Sequence, residues 1–259
     1  MVNQVSLPLY LGGITPNNKI NLNTGNVSFK SNMPDDSVQF DSVGKYLSEK
    51  FISNSINSNP EIKNIIGKEN PNLNLNMEDL KLIQQNHVSD IKRIANDIIN
   101  NLPESLRSQV NKTAIFDAAE LHDLGKVLIP PEILNKPGKL TQQEREVMEK
   151  HSILSYELLK NTNIDDYTLK LIKYHHQNTL GSGYPSIDDN FAPDINLQIL
   201  NLADKYSALS EKRTYKDKLS PKQALTIIYH ENVKTGQIHP FVFNSLIKSV
   251  DYKPVKTEV

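Results

Sequence analysis

The stretch from Asn76 to Asn101, NMEDLKLIQQNHVSDIKRIANDIINN, decides how this chain folds. Its inward positions are Leu80, Ile83 or Gln84, His87, Ile91, Ile94 and Ile98, spaced three or four apart. That is the period of one face of an α-helix, and Asn76 stands where a helix takes its N-cap. The spacing predicts a helix over 76–101 with His87 inside an otherwise aliphatic stripe. A histidine on such a stripe is ordinarily a core residue with its nitrogens satisfied.

Working outward, the same event recurs. A second helix is expected over about Gln109 to Leu121, delivering His122-Asp123 at its end, with Gly125 as the C-cap. Pro130-Pro131 and Pro137-Gly138 mark a connector. Thr141-Gln142-Gln143-Glu144 is a capping box that opens a third helix, whose seam of Val147, His151, Leu154 and Leu158 again turns a histidine inward. A fourth helix carries Leu169, Ile172 and His176, and a fifth carries Leu197, Leu200 or Asn201, Asp204 and Ala208. Ser220-Pro221 opens a sixth, and the last follows His239-Pro240. The expected fold class is all-α, a helical bundle over residues 77–250.

Upstream the composition changes. There are 15 asparagines in the first 76 positions, which limits how much apolar surface the tract can bury. Residues 1–76 read as an N-terminal arm or small regulatory region of mixed or irregular structure. A small hairpin fits residues 20–29, and one amphipathic helix fits Val43 to Ile56. Residues 251–259 read as a C-terminal tail.

Composition excludes several functions. Net charge is −1, so no broad basic surface for DNA or RNA is implied. With no cysteine there are no disulfides, thiolate ligands or cysteine nucleophiles. The segment Met1 to Gly13 lacks the basic and apolar regions of a secretory signal. No apolar run approaches the ~18 residues of a membrane span. A soluble, cytoplasmic protein is expected.

The recurring inward histidines then become informative together. His87, His122, Asp123, His151, His175, His176 and Asp204 include five of the seven histidines of the chain. Imidazole nitrogens with carboxylates suit a hydrolytic transition metal. A buried carboxylate without a partner is costly, and metal ions would satisfy all of these groups at once. Two pairs of adjacent ligands, at 122–123 and 175–176, suggest two metals sharing a carboxylate. The chemistry that follows is metal-dependent hydrolysis, of phosphate esters above all.

The motifs also resemble a known family. Leu121-His122-Asp123-Leu124-Gly125-Lys126 matches the HD superfamily signature H-D-x-G-K. The run His175-His176-Gln177-Asn178-Thr179-Leu180-Gly181-Ser182-Gly183-Tyr184-Pro185 resembles the HD-GYP signature H-H-E-x-x-D-G-x-G-Y-P. Lys136 to Leu140, Ala203 to Leu209 and Arg213-Thr214-Tyr215 are similar to flanking blocks, and the resemblance covers about residues 78 to 250. Gln177, Leu180, Ser155 and Thr214 depart from the usual residues, and none of them is a ligand position.

The resemblance implies an HD-type bundle and a cyclic di-GMP phosphodiesterase. It places His87, His122, Asp123 and Asp204 on one metal, and Asp123, His151, His175 and His176 on the second. The metals would be divalent iron or manganese, or zinc. A hydroxide between them would attack phosphorus, and Lys126 would neutralise phosphate charge and protonate the leaving group. Arg213, Tyr215 and Tyr184 are the expected substrate contacts, and the GYP loop a surface for a signalling-protein partner. The 1–76 arm is too short for the receiver domain that many relatives carry. Some relatives are thought to bind a third metal through a glutamate four residues before the first histidine. Ile83 holds that position here and Gln84 and Gln85 flank it, so two metals and the linear product pGpG are expected. Two alternatives stand beside this: an HD phosphohydrolase of another nucleotide or phosphate ester, and a non-catalytic cyclic di-GMP sensor or docking module.

Overall fold

A computed structural model of the chain describes residues 41–67, 69–83, 87–210 and 219–250. The described residues form helices and turns. Their one extended pairing is an antiparallel bridge between His176 and Tyr184. The longer helices are α1 (Glu49–Ser58), α2 (Pro60–Ile66), α3 (Met77–Ile83), α4 (Ser89–Asn101), α5 (Lys112–Leu121), α6 (Gln142–Leu159), α7 (Asp166–Tyr174), α8 (Ile195–Ser210), α9 (Pro221–Ile228) and α10 (Pro240–Ser249). The all-α expectation holds. No helix among the described residues is long and apolar enough to cross a membrane.

Helix starts follow local chemistry closely. Thr141 and Ser220 both complete reciprocal capping boxes, with Glu144 and Gln223. Asn111 caps α5 by accepting from Ala114 N–H, and Asp165 caps α7 by accepting from Thr168 N–H. His239, outside the inward set, is itself a cap and accepts from Phe241 N–H.

Several expectations are corrected. The 76–101 helix divides into α3 and α4. His87 and Val88 stand in π-helical backbone immediately before Ser89, and residues 84–86 lie outside the described residues. Widened turns of this kind are frequent at functional sites, because the extra residue re-aims the side chains around it. α5 starts at Lys112 rather than Gln109, because Asn111 supplies the cap. α7 stops at Tyr174, so His175 is its C-cap residue and His176 lies beyond the helix. Finally, Gly125 is not a C-cap. His122 occupies that place, and Gly125 falls within a 3-10 turn, Leu124–Leu128.

The proposed helix over 43–56 is broken at Ser48, whose side chain caps α1. α2 follows through Asn59 and Pro60, an N-cap with proline in the first turn. Ile52, Ile56, Ile62 and Ile66 are buried in the same core as the bundle, and both helices pack on α6. The compact unit therefore begins near Ser42, upstream of the composition change at 76. The hairpin proposed at 20–29 and the tail at 251–259 lie outside the described residues.

Elsewhere α4 packs on α8 and α10, α5 on α7 and α8, and α6 on α7 and on the 3-10 turn. This brings the ends of α5 and α7, the middle of α6 and the last turns of α8 together with His87.

Candidate metal centre

All seven side chains proposed from the sequence converge. Three overlapping clusters form, each with ligand atoms within 4.8 Å of one another: His87, His122 and Asp204; His122, Asp123 and His175; and His151, His175 and His176. His87 Nε2 lies 3.0 Å from Asp204 Oδ1, and His122 Nε2 lies 3.9 Å from the same oxygen. Asp123 stands between the groups, its Oδ2 3.4 Å from His122 Nε2 and its Oδ1 3.3 Å from His151 Nε2. His151 Nε2 is 3.1 Å from both His175 Nε2 and His176 Nε2.

The rings are oriented from behind. His122 Nδ1 faces the carbonyl of Ala119 at 3.0 Å, His151 Nδ1 that of Met148 at 2.7 Å, and His175 Nδ1 that of Ile172 at 2.8 Å. Each carbonyl belongs to the residue three positions earlier and can only accept, so each Nδ1 donates. That fixes the tautomer and leaves Nε2 with a bare lone pair. His87 Nδ1 is partnered by Ser207 Oγ at 3.0 Å. Lone pairs 3.1 Å apart repel unless something positive lies between them.

The electrostatics agree for three of the rings, while His122 is raised, its burial outweighed by the Asp123 and Asp204 carboxylates. Burial drives His151 down to a pKa of about 4 and His176 to about 3. His175 is also lowered, by burial and then by the neighbouring imidazoles. These rings are neutral at neutral pH, as ligands must be. Burial alone would raise Asp123, yet His122 and Lys126 beside it hold the carboxyl well below its usual range. Asp204 is likewise held low, against its burial, by His87 and His122.

The donor set fits a metal by a direct observation. His122 Nε2 and Asp123 Oδ1 are both fully buried with no hydrogen-bond partner. Orphaned buried polar atoms are rare and costly, and a cation between the clusters would satisfy both.

Lys126 comes to the centre, with Nζ 2.6 Å from Asp123 Oδ2 and the side chain 21% exposed. The 3-10 turn does this, since residues three apart eclipse on it. Tyr184 also arrives, its ring 4.5 Å from that of His176. Arg213 and Tyr215 lie outside the described residues, as do the side chains of Ile83, Gln84 and Gln85.

Sequence reasoning missed several supports. Ser155 is buried, and its hydroxyl accepts from Gly125 N–H at 2.8 Å while facing the carbonyls of His122 at 2.6 Å and His151 at 2.9 Å. It thus ties the His122-Asp123 turn to α6. A Cβ on Gly125 would meet His151 O at 2.2 Å and Ser155 N at 2.6 Å, so this glycine is required by close approach. Asn201, one turn before Asp204, donates to the carbonyls of His175 and Gln177 at 2.9 and 3.1 Å. Its place on the α8 seam was the only sequence signal.

These features define a class. The chain belongs to the HD domain family, whose sequence model matches residues 64–236. Among curated relatives, it is 40% identical over 115 residues to the cyclic di-GMP phosphodiesterase response regulator RpfG of Xanthomonas campestris, covering 43% of this chain and 30% of that protein. It is 32% identical over 136 residues to 3'3'-cGAMP-specific phosphodiesterase 1 of Vibrio cholerae, covering 52% of this chain and 31% of that protein. The chain spans about a third of the length of these two relatives. A solved structure of Bd1817, an HDG"Y"P protein of Bdellovibrio bacteriovorus, overlays with a TM-score of 0.49 at 12% identity, covering 80% of this chain and 76% of that one.

Proposed function

We propose that this protein is an HD-GYP phosphodiesterase that opens a cyclic dinucleotide, cyclic di-GMP, mainly to linear pGpG. The observation that carries the reading is the meeting of seven imidazole and carboxylate side chains, Asp123 among them, with His122 Nε2 and Asp123 Oδ1 unpartnered. His87, His122, Asp123 and Asp204 would hold one divalent metal and Asp123, His151, His175 and His176 a second, iron or manganese before zinc. When bound, such a pair supplies Lewis acidity and an activated water for in-line displacement at phosphorus.

The chain's own groups do the rest. The three imidazoles tethered through Nδ1 present Nε2 in fixed directions, so no rearrangement is needed at the moment of reaction. Lys126 Nζ neutralises charge on a phosphate oxygen and can give its proton to the leaving 3' oxygen. Tyr184 supplies an aromatic face at the edge of the His176 ring, and Arg213 and Tyr215 bind substrate from the adjoining segment. Leu180, 61% exposed on the same loop, supports contact with a signalling partner there.

A second reading, hydrolysis of 3'3'-cGAMP, is favoured by the relatives named for that substrate. The deciding experiment incubates manganese- or iron-loaded protein with cyclic di-GMP and 3'3'-cGAMP separately and resolves products by chromatography. Release of pGpG from cyclic di-GMP at the higher kcat/KM is expected. A metal-loaded protein that turns over neither nucleotide would overturn the proposal and leave an HD phosphohydrolase of another phosphate ester, or a sensor or docking module.

A further inference from the structure

Gln177 is the fully buried residue of the 175–185 run whose side chain the metal centre does not use. It immediately follows His176, and only 1% of it is exposed. Its side chain does not point at the ligands. It reaches forward to the loop, where Oε1 accepts from Gly183 N–H at 3.0 Å and Nε2 donates to Pro185 O at 2.6 Å. The backbone groups of Gln177 are used as well, N–H to Tyr174 O at 2.7 Å and C=O from Asn201 Nδ2.

The orientation of the amide follows from its partners, because an N–H needs an acceptor and a carbonyl a donor. Gln177 itself is buried and both bonds are partly so, which makes losing either one costly. A carboxylate at this position could accept from Gly183 but would face Pro185 O with a second acceptor. An amide supplies donor and acceptor together at any pH, whereas the glutamate of the HD-GYP signature would have to be protonated to do the same.

The two bonds bracket Tyr184. Gly183 on one side is pressed against the chain behind it, where a Cβ would meet His176 O at 2.1 Å. Pro185 on the other side is held by its carbonyl. Between them Tyr184 pairs with His176 across the antiparallel bridge and lays its ring against the imidazole, with centroids 4.5 Å apart and planes at 32°. The rest of the loop is braced separately, by Asn178 Oδ1 accepting from Leu180 and Ser182 N–H.

We infer that Gln177 is a positioning residue that acts as a two-ended amide clip, fixing Tyr184 against His176 so that the aromatic wall of the site is preset for a nucleotide substrate. This rests on the proposed phosphodiesterase reading only for its substrate. Gln177 touches neither substrate nor ligand atoms and works through Tyr184.

The test uses the full chain with Gln177→Met, which keeps the bulk and removes both polar ends, and Gln177→Glu, which when ionised keeps the acceptor alone. Hydrogen exchange of the peptide spanning 181–187 in metal-free protein should accelerate at least tenfold in Gln177→Met, with α4 unchanged. Gln177→Glu provides the same comparison if the methionine variant does not fold. In metal-loaded protein KM for cyclic di-GMP should rise about tenfold with kcat within about twofold and metal content unchanged. In a Tyr184→Ala background, adding Gln177→Met should raise KM no further. Unchanged exchange at 181–187 would overturn the clip, and additive KM effects in the double variant would overturn its action through Tyr184. If wild-type protein turns over no cyclic dinucleotide, the substrate assignment fails while the exchange result still decides the clip.

Discussion

Asp123 is where the proposed centre can be tested most sharply. It is 2% exposed, and its two oxygens face different clusters, Oδ2 toward His122 and Lys126, Oδ1 toward His151. Asp123→Ala removes the group placed between both halves of the ligand set. Losing an outer-shell partner of a metal ligand costs about 10–100-fold in affinity, so loss of a shared ligand should cost at least about 100-fold at each site. The metal-free protein loses a buried carboxylate paired with Lys126. Breaking a buried pair costs about 3–5 kcal/mol, but Lys126 is partly exposed and can turn to water, so about 1–3 kcal/mol is expected. The assay is anaerobic loading with manganese or iron, exhaustive dialysis and elemental analysis, alongside urea unfolding of the metal-free chain. Wild-type protein should retain two metals per chain and the variant none. Retention of two metals, or of one, by a folded variant would refute the shared role.

Further outcomes are expected. Lys126→Ala should keep both metals and lower kcat by about 100-fold or more; an unchanged kcat in a metal-replete variant would reduce Lys126 to a counter-charge for Asp123. Gly125→Ala should destabilise the fold by about 3 kcal/mol, since a methyl 2.2 Å from His151 O has no side chain to displace; an unmoved urea midpoint would contradict this. Metal-free protein should lose stability as pH falls from about 6.5 toward 4. His151 at about 4 and His176 at about 3 stay neutral when folded but take up protons when unfolded, at the limit about 3 kcal/mol for His151 and about 5 kcal/mol for His176, and a flat urea midpoint over that range would refute their depressed values. A complete time course should leave pGpG with GMP formed slowly if at all, and rapid GMP or three metals per chain would show the reading of Ile83 to be wrong.

What the sequence made legible was periodic or stereochemical. The inward histidines followed from three- and four-residue spacing. The starts of α6, α9 and α10 followed from Thr141, Ser220 and His239, because a cap is a local hydrogen bond between near neighbours. The misreadings came where tertiary contact overrode the local pattern. His87 continued a helical stripe in sequence, yet its backbone is widened just where its ring meets Asp204 and Ser207. His176 kept the spacing of α7 but pairs instead with Tyr184, eight residues later. Gly125 had the look of a helix stop, whereas the demand on it comes from α6, about thirty residues away. The isoleucines of α1 and α2 were hidden by a surrounding excess of asparagine, though Asn59 has a buried task, donating to the Glu157 side chain at 2.7 Å.

The tethering of His122, His151 and His175 to carbonyls of their own chain segments has a mechanical consequence. A ring held at Nδ1 has little freedom to swivel, so each imidazole behaves as a rigid lever fixed to its backbone. The spacing of the Nε2 atoms then reports how α5, α6 and α7 lie against one another, not which rotamers the histidines choose. Leu154 and Ile172, fully buried on α6 and α7, thereby become part of the ruler that sets the distance between ligands.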